Sequence, residues 1–407
     1  MKAQGTAFSV MKVLCVFGEH QYGDPARGIG TEYGAFVPAL RRLGHEVIHF
    51  ESWNRACYRD FRELNRALLE VIEQQRPDVM LAVQMNYEIW LETLEIIKAR
   101  GDVATVCWTT DDSWKYREVS RFIGRAYHAM TTTYERMLPL YQRDGIPHVL
   151  LTQWAACVEN LQEPLAADSC RYQVSFVGAA HGDRRERVSE LERLGAEVSC
   201  FGHGWPSGSI DADEIPRIMR ESVISLNFAN SKGENQVKAR TFEVPGAGGF
   251  LLTENAAALE KFYIPGEEIV TFGSIPELAE KIKYYLGHPQ DRDAIARAGY
   301  ARTRRDHTYD IRMKEVLEFA IQAQLDYMKT TLKVPVPSFE EVSERYRPSL
   351  PLKILRAILV APCVAIWGSR RGRRAARRIL FEASWRLFGA KTFSAAGWPG
   401  ILFYSDS

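Results

Sequence analysis

Paired cysteines, long hydrophobic runs and net charge are all scarce in this sequence of 407 residues. Seven cysteines form no Cys-x-x-Cys pair, which excludes a disulfide framework and a zinc site and predicts reduced, mostly buried thiols in a cytosol. The run 357–367 holds eleven apolar residues, short of the ~20 that a helix needs to cross a bilayer. The opening residues lack the apolar core and cleavage pattern of a signal peptide, and the fold is expected to begin at Met11. His203 and His307 have no companion at ligand spacing, so both are read as structural, and no essential metal is expected. A formal charge of +1 offers no whole-chain case for nucleic acid.

The charge that is present is unevenly placed. Residues 331–407 hold 13 Lys/Arg against 5 Asp/Glu, while residues 1–330 hold 39 against 46. The C-terminal stretch is therefore a basic tail on an acidic body. Within it, the apolar run precedes Arg370, Arg371, Arg373, Arg374, Arg377 and Arg378 and an aromatic stretch to Phe388. Residues 352–388 thus have the composition of an amphipathic helix on an anionic membrane surface, which predicts a cytoplasmic protein peripheral at the inner face of the membrane. No folded nucleic-acid reader accompanies the arginines.

Upstream, short continuous apolar runs alternate with segments of helical length. The runs are 13–17, 46–50, 78–83, 103–109, 129–132 and 148–152, separated by helix-like segments around 31–43, 58–75, 87–100, 114–127 and 134–144. Continuous rather than alternating apolar strands are what a parallel sheet covered on both faces requires. The pattern restarts with strands at 173–178, 197–201, 223–228, 249–253 and 268–272 and helices near 184–194, 213–221, 236–246, 255–262 and 275–287. The expected class is α/β, with two Rossmann-like doubly wound parallel-sheet domains, 11–158 and 170–310, facing a cleft. Met313, Val316, Leu317, Ala320, Ile321, Leu325 and Met328 then recur at helical spacing, predicting a long helix over 311–330 that can pack back on the first domain, before the tail at 331–407.

Four stretches can carry chemistry. Gly178 closes a strand and leads through Ala-Ala-His-Gly182-Asp to Arg184 and Arg185 at the start of a helix, a turn whose backbone N–H groups and cations suit a phosphate. Lys238, Arg240 and Glu243 sit at a helix start ahead of Gly246, Gly248 and Gly249. There the cations can neutralise a departing diphosphate and the carboxylate can hold a ribose; the plain alternative is an i,i+3 surface pair. In the first domain, Gly28 and Gly30 open the first helix, and Asp111 and Asp112 follow the fourth strand, one as a helix cap and the other as a base for an acceptor hydroxyl. Asp211 and Asp213 read as charges on a helix N-terminus rather than as a metal-binding Asp-x-Asp.

The run Lys238-x-Arg240-x-Phe-Glu243-x-Pro-x-x-Gly248-Gly-Phe, with Val174-Ser-Phe-Val-Gly178, Phe201-Gly-His-Gly-Trp205 and His307-Thr-Tyr-x-x-Arg312, resembles the CgeB-type (spore-maturation-protein-like) group of GT-B glycosyltransferases over about residues 172–312. The resemblance implies a nucleoside-diphosphate-sugar donor as substrate, no cofactor, Glu243 at the ribose, Lys238 and Arg240 near the diphosphate, and Gly178 at the phosphate-side turn. Asn235, with Glu234 beside it, stands where the wider retaining enzymes carry a carboxylate. The expected function is transfer of a sugar from that donor to an unidentified acceptor, of a lipid-linked or envelope kind. A nucleotide-sugar epimerase and a non-catalytic sugar-nucleotide-binding or envelope structural protein remain as alternatives.

Overall fold

The computed structural model describes residues 10–208, 210–229, 235–330 and 335–406, which leaves Glu234 outside the described residues. Its contacts divide the chain into two compact units, one of residues 1–152 with 313–407 and the other of residues 153–312.

The first unit is built on a six-stranded sheet of Lys12–Val16 (β1), Glu46–Phe50 (β2), Val79–Ala82 (β3), Ala104–Cys107 (β4), Ala129–Thr132 (β5) and Val149–Leu151 (β6). All neighbours are parallel, in the order β2-β1-β3-β4-β5-β6. β1, β3, β4 and β5 are almost wholly buried, as continuous apolar strands covered by helices on both faces should be. Helices Thr31–Arg42, Phe61–Gln75 and Leu91–Arg100 supply that cover. The helix expected over 114–127 breaks into Asp112–Lys115, a widened π turn at Tyr116–Ser120 and short turns to Ala126. The widened turn brings the Ser120 hydroxyl to the Asp112 carboxylate at 2.7 Å.

Helix Tyr309–Thr330 belongs to the first unit from Met313 onward. Met313, Val316, Leu317 and Ala320 are buried, whereas Leu325 and Met328 are half exposed. Gln324 donates to the Gly101 carbonyl at 2.9 Å, and the Tyr327 ring meets His128 at 5.1 Å. The basic C-terminal stretch is largely part of this unit. Phe381, Trp385, Phe393 and Ala395 join the core around Phe61, Tyr87 and Trp90, because that side of the tail carries large aromatics. Of the seven free thiols, Cys15, Cys107 and Cys363 are buried and Cys57 is exposed, so burial of most of them does not hold.

The second unit has a five-stranded parallel sheet of Tyr172–Val177 (β7), Ser199–Phe201 (β8), Ser222–Asn227 (β9), Leu251–Glu254 (β10) and Val270–Phe272 (β11), in the order β11-β10-β9-β7-β8. The strand order reverses between β7 and β9, and at such a switch point the carboxyl ends of the strands open a ligand crevice. The segment expected as a helix over 255–262 is only a turn at Leu259–Lys261. Helix Pro289–Asp306 escaped the periodicity reading because only Ile295 and Tyr300 on its buried face are large and apolar, the rest being Arg292, Ala296, Gly299 and Thr303. Arg292 is fully buried and donates to the carbonyls of Leu165, Ser222 and Val223 at 2.7–2.9 Å, which satisfies a charge that would otherwise be costly.

Candidate functional site

The second sheet's switch point is flanked by two arginines. Gly178 follows β7; its N–H donates to Phe201 and its carbonyl accepts from the Trp205 indole, both at 2.8 Å. A Cβ on Gly178 would press on the Phe176 ring at 3.0 Å, and Gly202, at φ +124°, lies so close that its Cβ would fall 2.6 Å from the Gly178 oxygen. Only residues without side chains allow these two loops to approach this closely. Arg184 opens helix Arg184–Arg193 and donates to the carbonyls of Ala179 at 2.9 Å and Phe228 at 3.3 Å, just past β7 and β9. Arg240 opens helix Arg240–Gly246; its Nε donates to the Val177 carbonyl at 3.1 Å and another nitrogen pairs with the Glu243 carboxylate.

Burial, with nearby Arg240 adding to it, pushes the pKa of Arg184 below its ordinary value. Two cations held together at the carboxyl ends of parallel strands form a receptive place for a polyanion, whose arrival would relieve both. The structure therefore brings Gly178, Arg184, Arg240 and Glu243 to one end of one sheet. The i,i+3 pair exists, but its side chains are 29% and 28% exposed and Phe242 and Val244 beside them are buried, so it is not a solvated helix face. Arg240 and Glu243 also line a pocket of about 130 Å³ with Ala156, Cys157, Asn160 and Met219. Lys238 is half-buried just ahead of that helix, with its ammonium 3.4 Å from Gln236. Arg185 turns away to the Gly204 carbonyl in the loop after β8. Asn235 donates to the Asn255 carbonyl at 3.1 Å.

The glycines that follow serve packing. Gly248, at φ +82°, would place a Cβ 2.4 Å from the Gln162 oxygen, and Gly249 one 2.6 Å from that of Met219. His307 is buried against Phe242, Phe262 and Tyr263, with its ring nitrogens bonded to Arg312 at 3.0 Å and the Phe262 carbonyl at 2.9 Å. Burial pushes its pKa down to about 4, so it is a neutral structural imidazole. His203 is exposed. Asp211 and Asp213 precede helix Glu214–Arg220, and among the described residues no three His, Cys, Asp or Glu side chains gather as a metal site would.

In the first unit, Gly30 is the N-cap residue of helix Thr31–Arg42, and Gly28, at φ +78°, adopts the backbone that favours glycine in the loop before it. The two aspartates separate. Asp112 is 1% exposed and accepts from Thr109 at 2.9 Å and from Ser120 and Tyr141 at 2.7 Å, so both its oxygens are engaged inside the fold. Asp111, one residue earlier, caps the short helix with its backbone and remains partly exposed. Near it lie Glu32 and Lys115, both buried, which the sequence reading did not single out as site residues. A glutamate in a first helical turn is ordinarily an exposed dipole partner, so its signal was hidden. Burial raises the Glu32 pKa above its usual value, with Asp111 adding to the rise and Lys115 opposing it.

Comparisons with known proteins agree with this geometry. Residues 184–318 match the Glycosyl transferase-like family. The chain is 20% identical over 296 residues to Spore protein CgeB of Bacillus subtilis (strain 168), covering 64% of this chain and 91% of that one. It is 24% identical over 228 residues to Lipid-A-disaccharide synthase of Azoarcus sp. (strain BH72), covering 53% and 57%. Among solved structures, HepE of Anabaena in complex with UDP superposes with a TM-score of 0.52 at 11% identity, over 76% of this chain and 99% of that one. A glycosyltransferase from Rickettsia africae ESF-5 does so at 0.54 and 10% identity, over 80% and 100%. The chain has the GT-B fold, its residues 184–318 match a glycosyltransferase family, and over 64% of its length it is similar to Spore protein CgeB.

Proposed function

We propose that the second unit binds a nucleoside-diphosphate-sugar donor at the carboxyl ends of β7 and β9, and that the sugar passes to an acceptor hydroxyl without a metal ion or cofactor. The observation that carries this reading is the arginine pair, Arg184 and Arg240, anchored on the carbonyls of Phe228 and Val177 at the switch point. HepE, which has the same fold, is a UDP complex, which makes a diphosphate an apt ligand for such a pair. In transfer, the bond from the anomeric carbon to the diphosphate oxygen breaks and a bond to the acceptor oxygen forms. Negative charge grows on the departing diphosphate, where Arg240, Arg184 and Lys238 stabilise it most. Glu243 is assigned to the ribose hydroxyls, with Gly178 giving the phosphates close approach to the backbone. The acceptor proton must pass to a base, and the first unit's Glu32, Asp111 and Asp112 are the carboxylates to test for that role.

A thermal-shift panel of nucleoside diphosphates tests the site directly. One diphosphate at about a hundredfold excess over its Kd should stabilise the protein by about 2.7 kcal/mol and raise the melting midpoint by several degrees. The rise should vanish in Arg240→Ala. If no diphosphate in the panel stabilises the wild-type protein, the donor site is wrong.

A further inference from the structure

Helix Leu350–Phe388 is broken at Gly368, whose φ of 77° and ψ of 169° no right-handed helix contains. Nine residues of unbroken helix would hold Gly372 roughly 13 Å from Cys363. Instead, a Cβ on Gly372 would lie 2.5 Å from the Cys363 oxygen and from the Val364 Cα, so residues 369–388 fold back along 350–367 as a hairpin. The inner side is sealed: Leu355, Leu359 and Cys363 pack with Ala376, Leu380 and Phe403. Arg356 fixes the first arm to the same unit through the Leu402 carbonyl at 2.8 Å and Asp406 at 2.9 Å.

The outer side is open. Leu350, Ile354, Ile358 and Ile366 recur at four-residue multiples and are 71%, 51%, 64% and 68% exposed, and Trp367 at the bend is 51% exposed. An 18-residue window in this segment has a mean hydropathy of 1.8 yet is only 6% buried. A stripe of this kind in water is unfavourable unless something covers it. Directly past the bend, Arg370, Arg371, Arg373 and Arg374 are exposed, and among the described residues no carboxylate pairs with them, although Arg378 farther along is held by Glu118 at 2.8 Å.

We infer that the hairpin's outer side docks on an anionic lipid bilayer, with the apolar stripe seated at the boundary between headgroups and acyl chains and the four arginines on lipid phosphates. Charge complementarity selects this occupant: a nucleic acid would satisfy the arginines and leave the stripe wet, whereas an anionic bilayer meets both. The first arm lies in the membrane plane rather than crossing it, because its other side and Arg356 are committed to the protein. The protein would thereby be held where lipid-linked or envelope acceptors are found.

Flotation of the full chain with vesicles tests this independently of any sugar chemistry. The chain should float with phosphatidylcholine–phosphatidylglycerol vesicles at low salt and stay behind with pure phosphatidylcholine. Ile354→Ser/Ile358→Ser/Ile366→Ser and, separately, Arg370→Gln/Arg371→Gln/Arg373→Gln/Arg374→Gln should each lower the floated fraction about tenfold or more, with the melting midpoint unchanged because the altered side chains are exposed. Three results would overturn the inference: no flotation, flotation of both variants equal to that of the wild type, or a wild-type dimer in light scattering that the triple serine variant makes monomeric while neither binds vesicles. The last would assign the stripe to a second copy.

Discussion

The guanidinium Nε of Arg240 donates to the carbonyl oxygen of Val177 at 3.1 Å, joining the start of one helix to the end of β7. That bond fixes where the charge sits without consuming it. Arg240→Ala should lower kcat by about a hundredfold or more, as loss of a group stabilising transition-state charge does. Arg240→Lys should recover little, because an ammonium has no planar fork to serve both Val177 and a phosphate. Single-turnover rates with the diphosphate sugar that stabilises the wild type would check both.

Asp112 should prove a stability residue. Asp112→Ala leaves the hydroxyls of Ser120 and Tyr141 buried without that acceptor, whereas Thr109 keeps the Thr131 carbonyl at 2.6 Å. The expected loss is about 3 kcal/mol, read from urea unfolding midpoints. Unchanged stability with lost activity would restore a catalytic role.

Glu32 should set an acid limb in the pH–rate profile. A base acts when deprotonated, and burial raises the Glu32 pKa. Activity should therefore climb with pH at values above the ordinary carboxylate range. Glu32→Gln should remove that limb and most of the rate, while Asp111→Asn should shift the limb downward by removing a neighbouring negative charge.

His307 should make the second unit sensitive to acid. Its pKa lies at about 4 in the fold against 6.5 unfolded, with Arg312, Arg302 and Asp306 as its charged neighbours. The unfolded chain binds the extra proton, so stability is present above pH 6.5 and is lost as pH falls toward 4, by roughly 3 kcal/mol for this group. Urea midpoints measured between pH 7 and 4.5 should fall less steeply in His307→Gln.

The alternation of apolar strands and helices was readable from the chain because a parallel sheet buried on both faces needs nearly continuous apolar residues, as in residues 13–16 of β1 and in β3. It failed where burial is mixed: helix Pro289–Asp306 buries Arg292, Gly299 and Thr303 alongside Ile295 and Tyr300, which dilutes the periodic signal. The gathering of Gly178, Arg184, Arg240 and Glu243 at one end of the second sheet was legible, since helix starts after strands have local spacing. Glu32 and Lys115 were not, since their burial comes from elements far along the chain.

By itself, the sequence determined the two parallel sheets, the helix starts that carry the arginines and the basic, apolar character of the C-terminal stretch, all set by local periodicity and composition. Only the tertiary structure decided which of Asp111 and Asp112 has free oxygens, that Gly248 serves a backbone approach to Gln162, and that Gly368 folds the basic stretch into a hairpin with one side sealed and the other open. The physical reason is common to these cases. Desolvation, close packing and the direction a chain takes after a left-handed glycine depend on neighbours distant in sequence, which no local pattern records.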